Sequence, residues 1–168
     1  MNAATPPPSQ RVPRRRSARV LLVDERDRLL LFRIEDPAAS DPVFWLTPGG
    51  GLQGRESYAQ AARRELREET GLDLPPGPCV WSLRHVFRDA QALEVWERYF
   101  VARTATTALR RNGWEPAEAA VITAQRWWTL AEIARSPEVF APRNLAALLP
   151  DVLAGRYPPR PLRIGLGL

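Results

Sequence analysis

The chain has 168 residues, of which 45% are apolar and 26% charged, a composition typical of one globular domain. Its single cysteine excludes an internal disulfide and a cysteine-rich zinc site. No apolar run approaches the length of about 20 residues that a membrane-spanning helix needs, and the N-terminus lacks the apolar segment of a secretory signal. We therefore predict a cytoplasmic protein with no membrane partner.

The net charge of +5 is concentrated near the N-terminus, because five arginines precede residue 20 and the first acidic residue is Asp24. We predict that residues 1–16, rich in proline and arginine, form a disordered arm. Residues 17–155 are predicted to form the folded domain, and residues 156–168 a proline-rich tail over its surface. The arm could contact phosphates or acidic partners, but a solvated tail is the simpler interpretation.

Apolar runs and turn residues predict the secondary structure, in chain order. The predicted strands are residues 17–24, 28–34, 44–46, 79–88, 93–103 and 126–128, and the fourth and fifth form a hairpin. The predicted helices are residues 57–70, ended by Gly71, residues 130–135, begun by a capping box of Thr129 and Glu132, and residues 143–154, ended by Gly155. Residues 104–124 are predicted to be a loop with a helical turn. This order of elements predicts an α/β fold in which a mixed sheet lies between helices.

Residues 48–72 are the most informative stretch, because a glycine-rich turn leads there into the first predicted helix. At about 100° per residue, Glu65, Glu68 and Glu69 fall within an arc of about 100°. An adjoining apolar arc is available to pack on the sheet, and it contains Tyr58, Ala59, Ala62 and Leu66. Like charges at this spacing cost a few tenths of a kcal/mol per pair, and the C-terminal end of a helix disfavours negative charge. The three carboxylates therefore indicate function rather than helix stability.

A hard divalent cation would relieve the repulsion between these carboxylates. Mg²⁺ takes oxygen ligands and commonly combines a few carboxylates with substrate phosphates. The glycines allow the backbone to approach closely, and Arg64 can hold Glu65 by a charge-assisted hydrogen bond. The pattern therefore predicts a site for a metal and a phosphate, where water is activated for attack on phosphorus. A charged surface helix is the alternative, but it leaves Glu56, Gly71 and the upstream glycines unexplained.

Residues 50–72 resemble the Nudix box, written G-x5-E-x7-R-E-U-x-E-E-x-G-U, where U is an aliphatic residue. Every specified position is filled, by Gly50, Glu56, Arg64, Glu65, Leu66, Glu68, Glu69, Gly71 and Leu72. The wider resemblance covers about residues 14–154. It implies the Nudix fold, an α/β/α sandwich around a mixed sheet. It also implies hydrolysis of a nucleoside diphosphate linked to another group, with Mg²⁺ or Mn²⁺ as cofactor.

The resemblance also implies roles for the residues of the box. By position, Glu68 and Glu69 resemble the principal metal ligands, and the Gly49 carbonyl is a further candidate. Glu65 resembles the general base or an additional ligand. The candidates for a catalytic role are thus Glu65, Arg64, which would orient it, and Glu68. The residues expected to be structural are Gly50, Glu56 and Gly71.

Fewer sequence observations support the candidate site residues outside the box. Glu115 and Glu118 are candidates for an additional carboxylate, since they follow the box in a segment without a clear pattern. Trp45 and Phe44, beside the glycines, are candidates for stacking on a nucleobase. The only histidine, His85, lies in strand-like sequence without a histidine or cysteine partner, which favours a structural role.

Three functions are open from the sequence. The first is a metal-dependent pyrophosphohydrolase of a small nucleotide derivative, and the second is a hydrolase of the 5′ end of RNA. The third is a nucleotide-binding module without catalysis, against which the complete box argues. The expected partner is a small-molecule nucleotide rather than a nucleic acid, and a homodimer is an open alternative because many relatives are dimers. No substrate signature around the box selects the nucleotide.

Overall fold

The computed structural model describes residues 12–37, 42–87, 92–110 and 120–166, and these form a nine-stranded mixed sheet with helices on both faces. The strands are β1 (Arg14–Asp24), β2 (Leu29–Glu35), β3 (Val43–Leu46), β4 (Gly49–Gly51), β5 (Cys79–Phe87), β6 (Leu93–Thr104), β7 (Ile122–Trp128), β8 (Phe140–Ala141) and β9 (Leu162–Ile164). The helices are α1 (Tyr58–Thr70), α2 (Leu130–Arg135) and α3 (Leu145–Leu153). None of the described helices is long and apolar enough to cross a membrane.

The central strand of the sheet is β1. The order of the strands is β8-β3-β2-β1-β6-β5-β9, with β4 beside β1 and β7 beside β2. Strand β1 runs parallel to β6 from the pair Arg14–Glu94 to the pair Asp24–Thr104. On its other edge β1 pairs antiparallel with β4 and then, at Val23, with β2. This change of partner brings the glycines of β4 to the middle of the sheet.

Alternate side chains of β1 pack into two apolar cores on opposite faces of the sheet, as the two-residue period of a strand requires. Leu21 and Val23 lie in one core, which α2 and α3 cover with Ile133, Leu145, Leu149 and Val152. Ala18, Val20 and Leu22 lie in the other core, which α1 covers with Ala61, Ala62 and Leu66. Helices on both faces of a mixed sheet confirm the predicted α/β/α architecture.

Both ends of the predicted domain differ from the structure. The prediction of a disordered arm over residues 1–16 is wrong for residues 14–16, which form the start of β1 because they pair with β6. The tail was predicted to lie over the surface, but Leu162–Ile164 form β9, parallel to β5. An extended segment there satisfies backbone groups of β5 that would otherwise be an open edge. Residues 1–11 and 167–168 lie outside the described part of the chain.

Other elements agree with their predictions in type but differ in extent. The hairpin of β5 and β6 is confirmed, although its turn, residues 88–91, lies outside the described residues. Within the predicted loop over residues 104–124, β7 already begins at Ile122, and residues 111–119 are not described. The capping box of α2 is confirmed, since Thr129 Oγ1 accepts from the Glu132 amide and Glu132 Oε2 accepts from the Thr129 amide.

Glu94 fixes the start of β1 to the sheet through two arginines. Its side chain is nearly buried and accepts hydrogen bonds from Arg14 Nε at 3.0 Å and Arg84 Nε at 2.6 Å. Arg14 first, and Arg84 with it, lowers the pKa of Glu94 from 4.5 to about 2. Because the folded state lowers this pKa, the stabilisation is present above about pH 4.5 and is lost as the pH falls toward 2.

We therefore expect the Glu94→Gln variant to melt below the wild type at pH 7, by a difference that shrinks as the pH falls from 5 to 2. Melting curves by circular dichroism at several pH values would measure this. The exposed Glu25 supplies the control Glu25→Gln, whose difference from the wild type should stay small throughout. A difference for Glu94→Gln that is independent of pH would contradict the assignment.

Candidate active site

Helix α1 is fixed at both ends by local hydrogen bonds. Ser57 is the N-cap, and its side chain accepts from the Gln60 amide while the Gln60 side chain accepts from the Ser57 amide. At the other end Gly71 has a φ of 76°, and its amide donates to the carbonyl of Arg67 at 2.9 Å. The helix therefore ends before Gly71 as predicted and begins one residue after its predicted start, because Ser57 is the N-cap.

The buried face of α1 is rotated toward the carboxylates compared with the prediction. The buried residues are Ala61, Ala62, Glu65, Leu66, Glu69 and Thr70. Ala59, predicted in the apolar arc, is exposed. The exposed fractions of Glu65 and Glu69 are only 5% and 3%, so these carboxylates lie within the packed face rather than beside it. Burying two charged side chains without partners would be costly, so their surroundings must compensate the charge.

Gly50 of β4 leaves space for the Glu65 carboxylate, and the backbone of Gly49 binds that of Glu69. A Cβ atom on Gly50 would lie 2.5 Å from Oε1 of Glu65, so any larger residue would displace the carboxylate. The amide of Gly49 donates to Oε2 of Glu69 at 2.7 Å. The predicted glycine turn is thus a short strand whose missing side chains allow α1 to bring carboxylates against the backbone.

Arg64 holds the carboxylates of the box together. Its guanidinium donates to both oxygens of Glu56, at 2.7 and 3.0 Å, to Glu65 Oε1 at 2.8 Å and to Glu68 Oε2 at 3.0 Å. It also donates to the carbonyl of Gly51 at 2.9 Å. The hydrogen bond from Arg64 lowers the pKa of Glu56, and these anions raise that of Arg64. The contact expected of Arg64 with Glu65 is therefore present, and the same guanidinium ties Glu56 to the middle of α1.

The donors around α1 suit a hard divalent cation in kind. Glu65, Glu68, Glu69 and the carbonyl of Gly49 offer oxygen ligands, and Gly50 has no side chain that would displace the Glu65 carboxylate. In the described residues, however, no three acidic, histidine or cysteine side chains already converge on one point. Arg64 holds Glu68 and the Gly49 amide holds Glu69. The 34% exposure of the Glu68 side chain leaves it the most room to turn toward a cation.

The carbonyl of Gly49, a predicted metal ligand, accepts a hydrogen bond from Nη1 of Arg19 at 2.8 Å. Arg19 is fixed in turn by Glu97, which accepts from its Nε at 2.9 Å and from the hydroxyl of Tyr99 at 2.7 Å. Burial opposes the charge of Arg19, but Glu97 together with Tyr99 and Glu69 raises the pKa of Arg19 above its ordinary value. A carbonyl oxygen has two lone pairs, so this bond leaves one for a further partner.

The backbone at Gly49 and Gly54 provides a matched pair of substitutions. Both have positive φ, 134° and 52°, but a Cβ on Gly49 would lie 2.1 Å from the carbonyl oxygen of Ala18, whereas one on Gly54 meets nothing within 4 Å. We expect Gly54→Ala to lower the free energy of unfolding by about 1 kcal/mol, through backbone strain alone. Gly49→Ala should cost more than about 3 kcal/mol, because a backbone clash adds to the strain. Urea denaturation measures both, and equal losses would show that the predicted clash is absent.

Two cavities adjoin these residues. A cavity of about 170 Å³ lies between β1, β4 and β2, and its lining includes Gly49, Gly50, Glu69, Thr47, Phe32 and Ile34. We call it the polar cavity because the charged side chains Glu69, Arg15 and Arg19 reach it. An aromatic cavity of about 230 Å³ lies beside it, and its lining includes Phe44, Phe87, Tyr99, Leu83, Leu93 and Val95. Arg15, Arg19 and Leu46 line both, so the two cavities meet at these side chains.

The structure separates the two predicted stacking residues. Phe44 lines the aromatic cavity, but Trp45 is 6% exposed and its ring packs edge-on against Trp128 at 4.9 Å. Successive residues of β3 point to opposite faces, so the prediction that Trp45 stacks on a base is wrong. Arg15 and Arg19 line the site although sequence analysis did not select them. Arg15 fell in the predicted arm, and only its pairing with Val95 of β6 reveals its place.

The remaining candidates lie away from the site or outside the described residues. Glu115 and Glu118 belong to residues 111–119, so the structure does not describe them. His85 is half-buried on β5, with its ring edge-on to Phe87 at 4.6 Å, in agreement with a structural role. Arg63 and Arg67 of α1 are exposed.

A mixed sheet between helices, with a glycine strand facing a carboxylate helix, defines the class of Nudix folds. The model of the NUDIX domain matches residues 13–149, so the chain belongs to the Nudix family. The chain is 44% identical over 57 residues to the m7GpppN-mRNA hydrolase NUDT17 of Danio rerio, a match that covers 34% of this chain and 19% of that protein. Matches to the bovine and human proteins of that name likewise span about a fifth of their length.

Solved structures share the fold at low identity. The MutT protein from Methanosarcina mazei superimposes with a TM-score of 0.64 and 21% identity, over 84% of this chain and 96% of that one. The NUDIX domain of Shewanella oneidensis NrtR complexed with ADP ribose gives a TM-score of 0.58 and 21% identity, over 83% and 85% of the two chains. These likenesses establish the fold and leave the activity to the site itself.

Proposed function

We propose that this chain is a metal-dependent pyrophosphohydrolase that cleaves the diphosphate linkage of a nucleoside diphosphate joined to another group. The observation that carries the proposal is the packing of α1 on β4, which places Glu65 against Gly50 and Glu69 on the Gly49 amide at the edge of a cavity. A helix selected only for stability would not bury two carboxylates beside a third.

Glu68 and Glu69 would hold Mg²⁺ or Mn²⁺, with Glu65 and the Gly49 carbonyl as further oxygen donors. Bound there, the cation would neutralise the diphosphate and lower the pKa of a water molecule. Arg64 keeps Glu65 and Glu68 on the same side of α1 by donating to both from Nη1. The nearly buried Glu65 carboxylate is the candidate to take a proton from the attacking water, as phosphorus gains one oxygen and the linkage oxygen leaves with the other group.

Hydrolysis at the 5′ end of RNA is the second candidate, supported by the likeness to an m7GpppN-mRNA hydrolase over about a third of the chain. Arg11, the one basic residue that precedes β1, and the segment that carries it would then assist binding to the RNA phosphates. Because β1 begins at Arg14, a truncation that tests the arm should remove residues 1–11 and not 1–16. Loss of RNA turnover with unchanged turnover of free nucleotides in this truncation would favour the RNA substrate.

A panel of substrates tests the proposal. It contains NTPs, dNTPs, 8-oxo-dGTP, NDPs, ADP-ribose, nucleotide sugars, diadenosine polyphosphates and capped RNA, each with Mg²⁺, with Mn²⁺ and with EDTA. We expect phosphate or nucleotide release that EDTA abolishes. Tight binding of a panel member without turnover under any condition would instead make the chain a nucleotide sensor.

A further inference from the structure

The junction of the polar and aromatic cavities contains two arginines of very different character. Arg19 is mostly buried and already has partners within the protein, since Glu97 balances its charge and its Nη1 donates to the Gly49 carbonyl. Arg15 is exposed, and it has no ion pair or side-chain hydrogen bond to any residue that the structure describes. The guanidinium available to a ligand at this junction is therefore that of Arg15.

The surroundings of Arg15 favour an anion that carries a flat apolar group. On one side lies the polar cavity with Gly49, Gly50 and Glu69, where the scissile linkage is proposed to bind. On the other side lies the aromatic cavity, whose wall includes Phe44 and Phe87. An apolar pocket with a few convergent polar groups is the usual form of a small-molecule site, and arginine pairs well with phosphate oxygens.

We propose that Arg15 binds the phosphate next to the nucleoside, and that the nucleobase occupies the aromatic cavity while the scissile linkage extends to α1. This assignment rests on the proposed function, because it takes the substrate to be a nucleotide derivative. It adds the orientation of the substrate and a specific contact.

Binding measurements separate this contact from a structural role. The probes are adenosine and guanosine, their 5′-monophosphates and the non-hydrolysable α,β-methylene diphosphates, titrated by calorimetry into the full chain. Arg15→Gln should weaken binding of the phosphate-bearing probes by about 10- to 100-fold, the range for a lost charge-assisted hydrogen bond. It should change binding of the nucleosides by less than about threefold. In turnover, KM should rise while kcat changes little.

Arg16→Gln is the matched control, because Arg16 is also exposed but follows Arg15 on the opposite face of β1. It should leave binding of every probe unchanged. The assignment would be overturned if Arg15→Gln lost equal affinity for nucleosides and nucleotides, or lost none for either. It would also be overturned if the wild type bound monophosphates no better than nucleosides. If the chain binds phosphate-bearing probes through Arg15 but hydrolyses no substrate, this assignment stands and the proposed activity is refuted. If the chain has turnover and Arg15→Gln leaves KM unchanged, the proposed activity stands and this assignment is refuted.

Discussion

The Glu69→Gln variant should lose about 10³-fold in kcat on the preferred substrate while staying folded. Glutamine keeps the shape of the side chain and an oxygen that can accept from the Gly49 amide, which in the wild type lies 2.7 Å from Oε2 of Glu69. It removes the negative charge that a divalent cation would require. A loss of 10³-fold corresponds to about 4 kcal/mol of barrier, the scale expected when a metal-binding carboxylate is removed.

Rates of phosphate or nucleotide release over a range of Mg²⁺ concentrations would measure this effect, with the melting temperature as a test of folding. Glu68→Gln should be similarly impaired, and because its side chain is more exposed, its stability should change little. Glu25→Gln is the control and should retain full activity, because Glu25 is exposed and lies outside the box. If Glu69→Gln kept more than a tenth of the wild-type rate, the assignment of α1 as the metal-binding helix would be wrong.

The Arg64→Ala variant should lose about 3–5 kcal/mol of the free energy of unfolding, the largest effect on stability that we expect from a side chain. The side chain of Arg64 is only 14% exposed, and its removal leaves Glu56, Glu65 and Glu68 without their shared cation. Removal of a nearly buried partner costs this much because Glu65, whose side chain is 6% exposed, stays desolvated without its cation. The free energy of unfolding of Arg64→Lys should lie between those of the wild type and Arg64→Ala, since lysine keeps the charge but cannot bond both oxygens of Glu56 at once.

Urea denaturation at pH 7 measures these losses, and Arg67→Ala, at an exposed position of the same helix, is the control with an expected change below about 0.5 kcal/mol. The pH dependence has a defined sign. Arg64 lowers the pKa of folded Glu56 below 4.5, so the stabilisation is complete above that pH and is lost as the pH falls below it. The difference between wild type and Arg64→Ala should therefore narrow in acid. A difference that widened there would contradict the network.

The limits of α1 could be predicted because their causes are local. The capping box at Ser57 and the left-handed Gly71 act within one turn of the helix, and the box residues lie within 23 positions of one another. Which face of α1 is buried was harder to predict from the sequence, since it depends on what the helix packs against. The sheet places β4 under Glu65 and Glu69, which turns Ala59 outward.

Features that depend on distant partners were missed. Arg14 pairs with Glu94, 80 residues away, and no local pattern shows that residues 14–16 join a strand. Strand β9 likewise depends on an open edge of β5. The aromatic residues Phe44 and Trp45 look equivalent in sequence, and only the register of β3 sends one to the cavity and the other to the core.

The sequence by itself determined the family, the carboxylate helix and the class of reaction to propose, because the residues that specify them are close together in the chain. Only the tertiary structure decided which charges are buried, which arginines line the cavities and where the site continues beyond the box. Those properties arise from contacts between β1, β4, β6 and α1, whose partners are separated by tens of residues. The packing of α1 on the glycine strand joins the two levels, since the glycines are visible in the sequence and their purpose appears only in the fold.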